Sequence, residues 1–139
     1  MKRYEQIPHT ADFAAKIYGK TLPELFENAA YAMFDMMSGI SESIASNFSA
    51  EIEVESQDKE TLLVAWLNEV LYLFYKEQVV FSDFKVYFKG SGKLQARIKG
   101  TKIKEHSNRI SPEIKAATYH DLEITNTAEG YEVTVVFDV

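Results

Sequence analysis

Cysteine is absent from all 139 residues of the sequence. Its absence excludes a disulfide scaffold, a thiol nucleophile and a structural zinc site built on thiolates. The sequence also lacks any apolar run near the roughly 20 residues of a membrane-spanning helix, and its first six residues begin no signal peptide. With 46% apolar and 13% aromatic residues, the chain is too apolar to be disordered. We therefore expect a soluble, cytoplasmic protein with a single domain over residues 1–139.

Positive charge is in deficit, with 15 lysines and arginines against 21 acidic residues and a net charge of -6. This balance argues against a non-specific nucleic-acid binder. The charges are unevenly spread: residues 42–77 hold eight acids and two lysines, whereas residues 85–115 hold nine bases and two acids. The basic residues either solvate the outer face of edge strands or attract an anionic partner. We favour the first interpretation.

Two long helices and a later run of strands are predicted by the hydrophobic periodicity. Thr21 and Glu24 form a capping box ahead of an amphipathic helix that runs to about Ser38, with Gly39 as a plausible stop. Asp58 caps a second helix, apolar on more than one side, that runs to about Gln78. Strands are predicted in two segments of 4–18, then over 50–56, 79–88, 94–102, 113–125 and 131–139. The pattern predicts an α+β domain in which two long helices pack on a largely antiparallel β-sheet.

Three carboxylates are candidates for a metal site. Asp12 ends the sequence His9-Thr10-Ala11-Asp12 at the mouth of a predicted strand, and Asp138 interrupts an apolar run beside the last residue, Val139. Together with the α-carboxylate of Val139, the two side chains would suit a hard cation such as Ca²⁺, Mg²⁺ or Mn²⁺. The alternative is that Asp12 accepts backbone hydrogen bonds at a turn, and spacing alone does not establish that Asp12 and Asp138 are adjacent.

A second group of chemically capable residues lies between Lys115 and Asp121. Strand alternation would put Lys115 and Tyr119 on one face and His120 on the other, so the lysine and the histidine do not converge. We interpret His120 as a core histidine bonded to backbone. In the second helix we expect Asn68 to bond a neighbouring loop. The sequence holds no phosphate-binding GxxxxGK[ST] loop, no GxGxxG and no HExxH.

Five segments, taken in order, resemble the archease family over essentially the whole chain. They are HTAD (9–12), YGKTLPELFENAA (18–30), LLVAWLNEVLY (62–72), KAATYH (115–120) and VVFDV (135–139). Two departures from the family pattern are Ala65, where an acidic residue is common, and Phe13-Ala14 after HTAD. Ala65 puts in doubt any role that needs a carboxylate at that helix position.

The resemblance implies an accessory protein rather than an enzyme. Archeases assist the GTP-dependent tRNA-splicing RNA ligase, promoting guanylylation of the ligase histidine and multiple turnover. The family pattern implies a divalent metal ion held by Asp12, Asp138 and Val139, with Ca²⁺ as the first expectation and Mg²⁺ or Mn²⁺ as alternatives. Lys115 would lie in the same functional region. His9 and His120 match motif positions and are assigned a structural role first.

Rival functions remain open on the sequence alone. A stand-alone metal-dependent phosphoester hydrolase would use the same carboxylates directly and would turn over without a partner. A chaperone-like protein-binding module would bind its partner even after chelation. Direct RNA binding through the basic residues of 85–115 would show strong salt dependence.

Overall fold

The computed structural model describes residues 2–8, 12–37, 47–102 and 113–139. Within these ranges the chain forms two helices and eight strands. In chain order they are β1 (Tyr4–Ile7), β2 (Phe13–Gly19), α1 (Leu22–Asp35), β3 (Phe48–Glu55), α2 (Lys59–Glu77), β4 (Val79–Phe88), β5 (Lys93–Lys102), β6 (Ala116–Ala117), β7 (Thr125–Thr127) and β8 (Gly130–Asp138). The predicted α+β class is confirmed.

Both helices begin at the predicted caps. The Thr21 hydroxyl accepts from the Glu24 N–H at 3.2 Å, and the Glu24 carboxylate accepts from the Lys20 N–H at 3.3 Å. Asp58 accepts from the Thr61 N–H at 2.7 Å. These bonds satisfy N–H groups that the first turn of a helix leaves without intrahelical partners. The predicted stop of α1 at Gly39 lies outside the described residues.

The strands form two sheets, and every strand pair in the described ranges is antiparallel. The five-stranded sheet has the order β1-β2-β8-β6, with β7 also paired to β8, and the three-stranded sheet has the order β3-β5-β4. Both helices contact strands of both sheets. One hydrophobic cluster includes side chains from all of these layers, so the two helices together form the middle of the core.

The acidic and basic parts of the sequence meet on the three-stranded sheet. On its exposed face, Arg97 of β5 lies opposite Glu51 of β3, with Nη2 and Oε1 3.3 Å apart. Lys93 contacts Glu53 of the same neighbouring strand, with Nζ and Oε1 3.1 Å apart. The uneven charge of the sequence is therefore partly neutralised in space. Contrary to expectation, Lys93 and Arg97 lie on the central strand of this sheet and not on an edge strand.

The predicted strand over 113–125 is wrong in its middle. Only Ala116 and Ala117 pair with one end of β8, and residues 125–127 pair with the other end. Between them the chain leaves the sheet through a turn in which Asp121 has a φ of 48° and the Leu122 N–H donates to the Tyr119 carbonyl at 3.2 Å. The alternation of side chains expected from Lys115 to Asp121 is lost at this turn.

Candidate functional site

The ends of β2 and β8 bring the two candidate aspartates to the same place. Phe13 pairs with Phe137 in the antiparallel ladder, and this register, continued by one residue, sets Asp12 opposite Asp138. Directly opposed residues of an antiparallel pair lie on the same face of the sheet. Because Phe137 is fully buried in the core, the two aspartates belong to the opposite face, where Asp138 is exposed.

Lys115 joins the same end of the sheet from the other side of β8. Its backbone N–H donates to the Asp138 carbonyl at 2.7 Å, and the next residue, Ala116, is the ladder partner of Asp138. The Lys115 side chain is exposed, as is Val139 beside Asp138. We call this sheet end, formed by Asp12, Lys115, Asp138 and Val139, the tip.

The described residues offer a cation only part of a ligand set. No three His, Cys, Asp or Glu side chains of these ranges are grouped closely enough to hold a metal ion. Two opposed carboxylates and nearby main-chain groups fit a hydrated hard cation, since Ca²⁺ accepts 6–8 oxygens and takes several from water. His9 lies outside the described residues, so it adds no ligand to this account.

His120 is not a core residue, and its interpretation as a buried histidine is wrong. It lies at the turn where the chain leaves the sheet, and its side chain is 59% exposed. Its Nε2 is 3.3 Å from Asp121 Oδ2, and its backbone N–H donates to the Thr118 hydroxyl at 3.3 Å. The turn explains the error, since the sequence pattern continues as a strand where the backbone does not.

Residues 113–124, which we call the strap, run antiparallel along α2 and are bonded to it in three places. The Tyr75 hydroxyl donates to the Ile114 carbonyl at 2.7 Å. The Asn68 amide donates to the Ala117 carbonyl at 3.2 Å and accepts from the Ala117 N–H at 2.8 Å. Nearer the start of α2, Glu60 accepts from the Ile124 N–H at 3.0 Å.

Burial at the strap, with Glu113 nearby, raises the pKa of Tyr75. The phenol is therefore protonated at neutral pH and is a hydrogen-bond donor to the strap. The first two of the three contacts flank Lys115, so α2 supports the segment that carries one side of the tip.

The family model described as "Archease protein family (MTH1598/TM1083)" matches residues 4–139 of this sequence. The chain belongs to the archease family. A protein archease of Methanosarcina barkeri is 43% identical over 142 aligned residues, covering 99% of this chain and 97% of that protein. A protein archease of Pyrococcus furiosus is 38% identical over 133 residues, covering 94% and 93%.

Solved structures agree with the archease fold. The solution structure of protein 1598 of Methanobacterium thermoautotrophicum matches with a TM-score of 0.87 and 36% identity over 100% of both chains. The crystal structure of an archease from Thermotoga maritima, named as a possible chaperone, matches with a TM-score of 0.67 over 97% of this chain and 96% of that one. At 24% identity, the second likeness shows the fold alone.

Archease motif residues of α2 bond to backbone. Asn68, expected to bond a neighbouring loop, makes its two bonds to Ala117 of the short strand β6. Trp66 Nε1 donates to the Phe26 carbonyl of α1 at 2.9 Å. The role of Tyr75 was missed, because a tyrosine in an apolar helix gives no sign of which backbone group it reaches. Within the described residues, no helix is long and apolar enough to cross a membrane.

Proposed function

We propose that this protein is a non-catalytic accessory protein that activates the GTP-dependent tRNA-splicing RNA ligase. In this proposal it promotes guanylylation of the ligase histidine and multiple turnover, and it meets RNA only through the ligase. The observation that supports the proposal is the pairing of Phe13 with Phe137, a register that would set Asp12 opposite Asp138 if continued by one residue, together with the Lys115 N–H bond to the Asp138 carbonyl. Membership of the archease family supports the same function.

Asp12 and Asp138 are the side chains that would hold a divalent cation at the tip. The α-carboxylate of Val139 would be a third oxygen group where that residue ends the chain. A bound cation would supply positive charge that offsets the charge of a nucleotide triphosphate during histidine attack. Oxygen ligands suit Ca²⁺, Mg²⁺ and Mn²⁺ alike, and Ca²⁺ is the first expectation from the family resemblance, with the other two as alternatives.

Lys115 adds a positively charged side chain to the same end of the sheet. Its exposed ammonium group can contact a phosphate or a carboxylate of the ligase. Its backbone bond to Asp138 holds the Lys115 backbone at the same end of the sheet. In this proposal the tip is therefore the surface presented to the nucleotide site of the ligase.

Single-turnover guanylylation of the ligase tests the proposal. We expect Asp12→Ala and Asp138→Ala to lower the stimulated rate by at least about tenfold, the effect of losing about 1.4 kcal/mol of transition-state stabilisation. Asp83→Ala, which removes an exposed carboxylate of β4 far from the tip, is the matched control and should stimulate as the wild type does. If both tip variants fold and stimulate fully, the proposed use of the tip is wrong.

The same assay separates the rival functions. Phosphoester turnover by this protein alone with divalent metal would replace the accessory function by a hydrolase. Binding to the ligase that survives chelation and both aspartate substitutions, without stimulation, would indicate a chaperone-like binding module.

A further inference from the structure

The backbone hydrogen bonds of the strap go partly to β8 and partly to α2. The N–H groups of Lys115 and Thr118 donate to β8, to the Asp138 and Val136 carbonyls at 2.7 and 3.0 Å. Between them, both backbone polar groups of Ala117 bond to Asn68. A side chain of α2 therefore completes the outer edge of the five-stranded sheet, next to the tip.

Asparagine is well suited to this position because its amide carries a donor and an acceptor side by side. Ala117 is 4% exposed, so water cannot readily replace either bond. A buried backbone group left without a partner costs free energy. Removal of the Asn68 amide is therefore expected to make the strap turn or open locally, and Lys115 would move with it.

We propose that Asn68 is a positioning residue of the tip: its two bonds to Ala117 hold the strap, and with it the backbone of Lys115, against Asp138 at the end of β8. The inference rests on the proposed function for its biological meaning. The positioning itself is a property of the isolated protein and is tested without ligase or metal.

Amide hydrogen exchange in the isolated protein provides the first test. Asn68→Leu keeps the branching of the asparagine side chain, is somewhat bulkier and has no hydrogen-bonding groups. We expect it to lower the protection factors of the Lys115 and Thr118 amides about tenfold relative to a core amide such as Ile98, because tenfold corresponds to roughly the net worth of one hydrogen bond. Unchanged protection at both amides would overturn the inference.

Glu60→Leu is the matched control for this substitution. It removes a bond from the same helix to the same strap, but on the far side of the Asp121 turn. We expect protection to fall at Ile124 and to stay within about twofold at Lys115 and Thr118. Equal loss at the tip in both variants would mean that the strap opens as a whole, which contradicts a specific role for Asn68.

A double-mutant cycle with Lys115→Ala tests whether Asn68 acts through the lysine. Stimulation of ligase guanylylation should fall about tenfold on Asn68→Leu in the wild-type background and less than twofold in the Lys115→Ala background. Equal falls in the two backgrounds would show a merely structural effect and would contradict the inference. If wild-type protein does not stimulate the ligase at all, the proposed function fails, and the exchange experiment alone decides the inference.

Discussion

At the residue scale, polar groups of α2 direct their hydrogen bonds to backbone atoms of other elements. Trp66 bonds the Phe26 carbonyl across the two helices, and Asn68 bonds Ala117 in the strap. Among the described residues, no buried side-chain nitrogen or oxygen lacks a partner. Such bonds fix where one element sits against another, which apolar packing alone specifies less sharply.

Trp66→Phe is expected to destabilise the protein by about 1–3 kcal/mol. The change removes a buried hydrogen bond between the helices and leaves part of the indole volume unfilled. Urea unfolding followed by circular dichroism measures it. Tyr87→Phe, at a side chain that is 54% exposed, is the control and should fall within about 0.5 kcal/mol of wild type. A loss as small as the control's would mean that the indole N–H contributes nothing to holding the helices together.

At the element scale, the ends of α2 are determined by single residues. Asp58 begins the helix by accepting the Thr61 N–H, and the helix ends where Gln78 adopts a φ of 54°. Its start lies beside the end of the strap that is beyond the Asp121 turn, where Glu60 accepts from the Ile124 N–H. Hydrogen bonds from the Thr61 N–H and hydroxyl lower the pKa of Asp58 from its usual value.

The lowered pKa of Asp58 predicts an acid-sensitive contribution to stability. A carboxylate whose pKa is lower in the folded than in the unfolded state stabilises the folded protein at pH values above its unfolded pKa, here 3.8. This stabilisation is lost as the pH falls through the pKa of the folded state. Asp58→Asn keeps a good cap but does not titrate. Between pH 5 and pH 2, its unfolding midpoint should fall less than that of wild type. Parallel profiles for Asp58→Asn and wild type would contradict the prediction.

Local patterns predicted the elements well and their pairing poorly. The caps at Thr21 and Asp58 lie within the sequence that they cap, so the helix starts could be predicted. The turn at Asp121 could not, because no glycine or proline interrupts the strand-like pattern there. The closeness of Asp12 and Asp138 depends on the register of two strands that are more than a hundred residues apart. No local rule determines that register.

At the scale of the whole molecule, aromatic packing ties the helices to the three-stranded sheet. The ring of Phe34 in α1 lies 5.4 Å from that of Phe74 in α2. It also stacks on Phe84 of β4, with ring centroids 5.9 Å apart. Since α1 packs against β2 as well, a residue in the middle layer contributes to the stability of both sheets.

We expect both sheets to unfold in one transition. This prediction tests whether residues 1–139 form a single domain. Phe34→Ala removes a side chain that is 3% exposed and should cost about 3–5 kcal/mol. Because the same core joins the layers, the amide signals of Ile98 in β5 and Val135 in β8 should lose intensity at the same urea concentration in wild type. In the variant the two midpoints should shift together.

Glu129→Ala, at an exposed turn position, is the control. It should change the free energy of unfolding by no more than about 0.5 kcal/mol at either probe. Two separate midpoints would show that the sheets are independent folding units, and a stability change at Phe34 would then reach the tip only weakly.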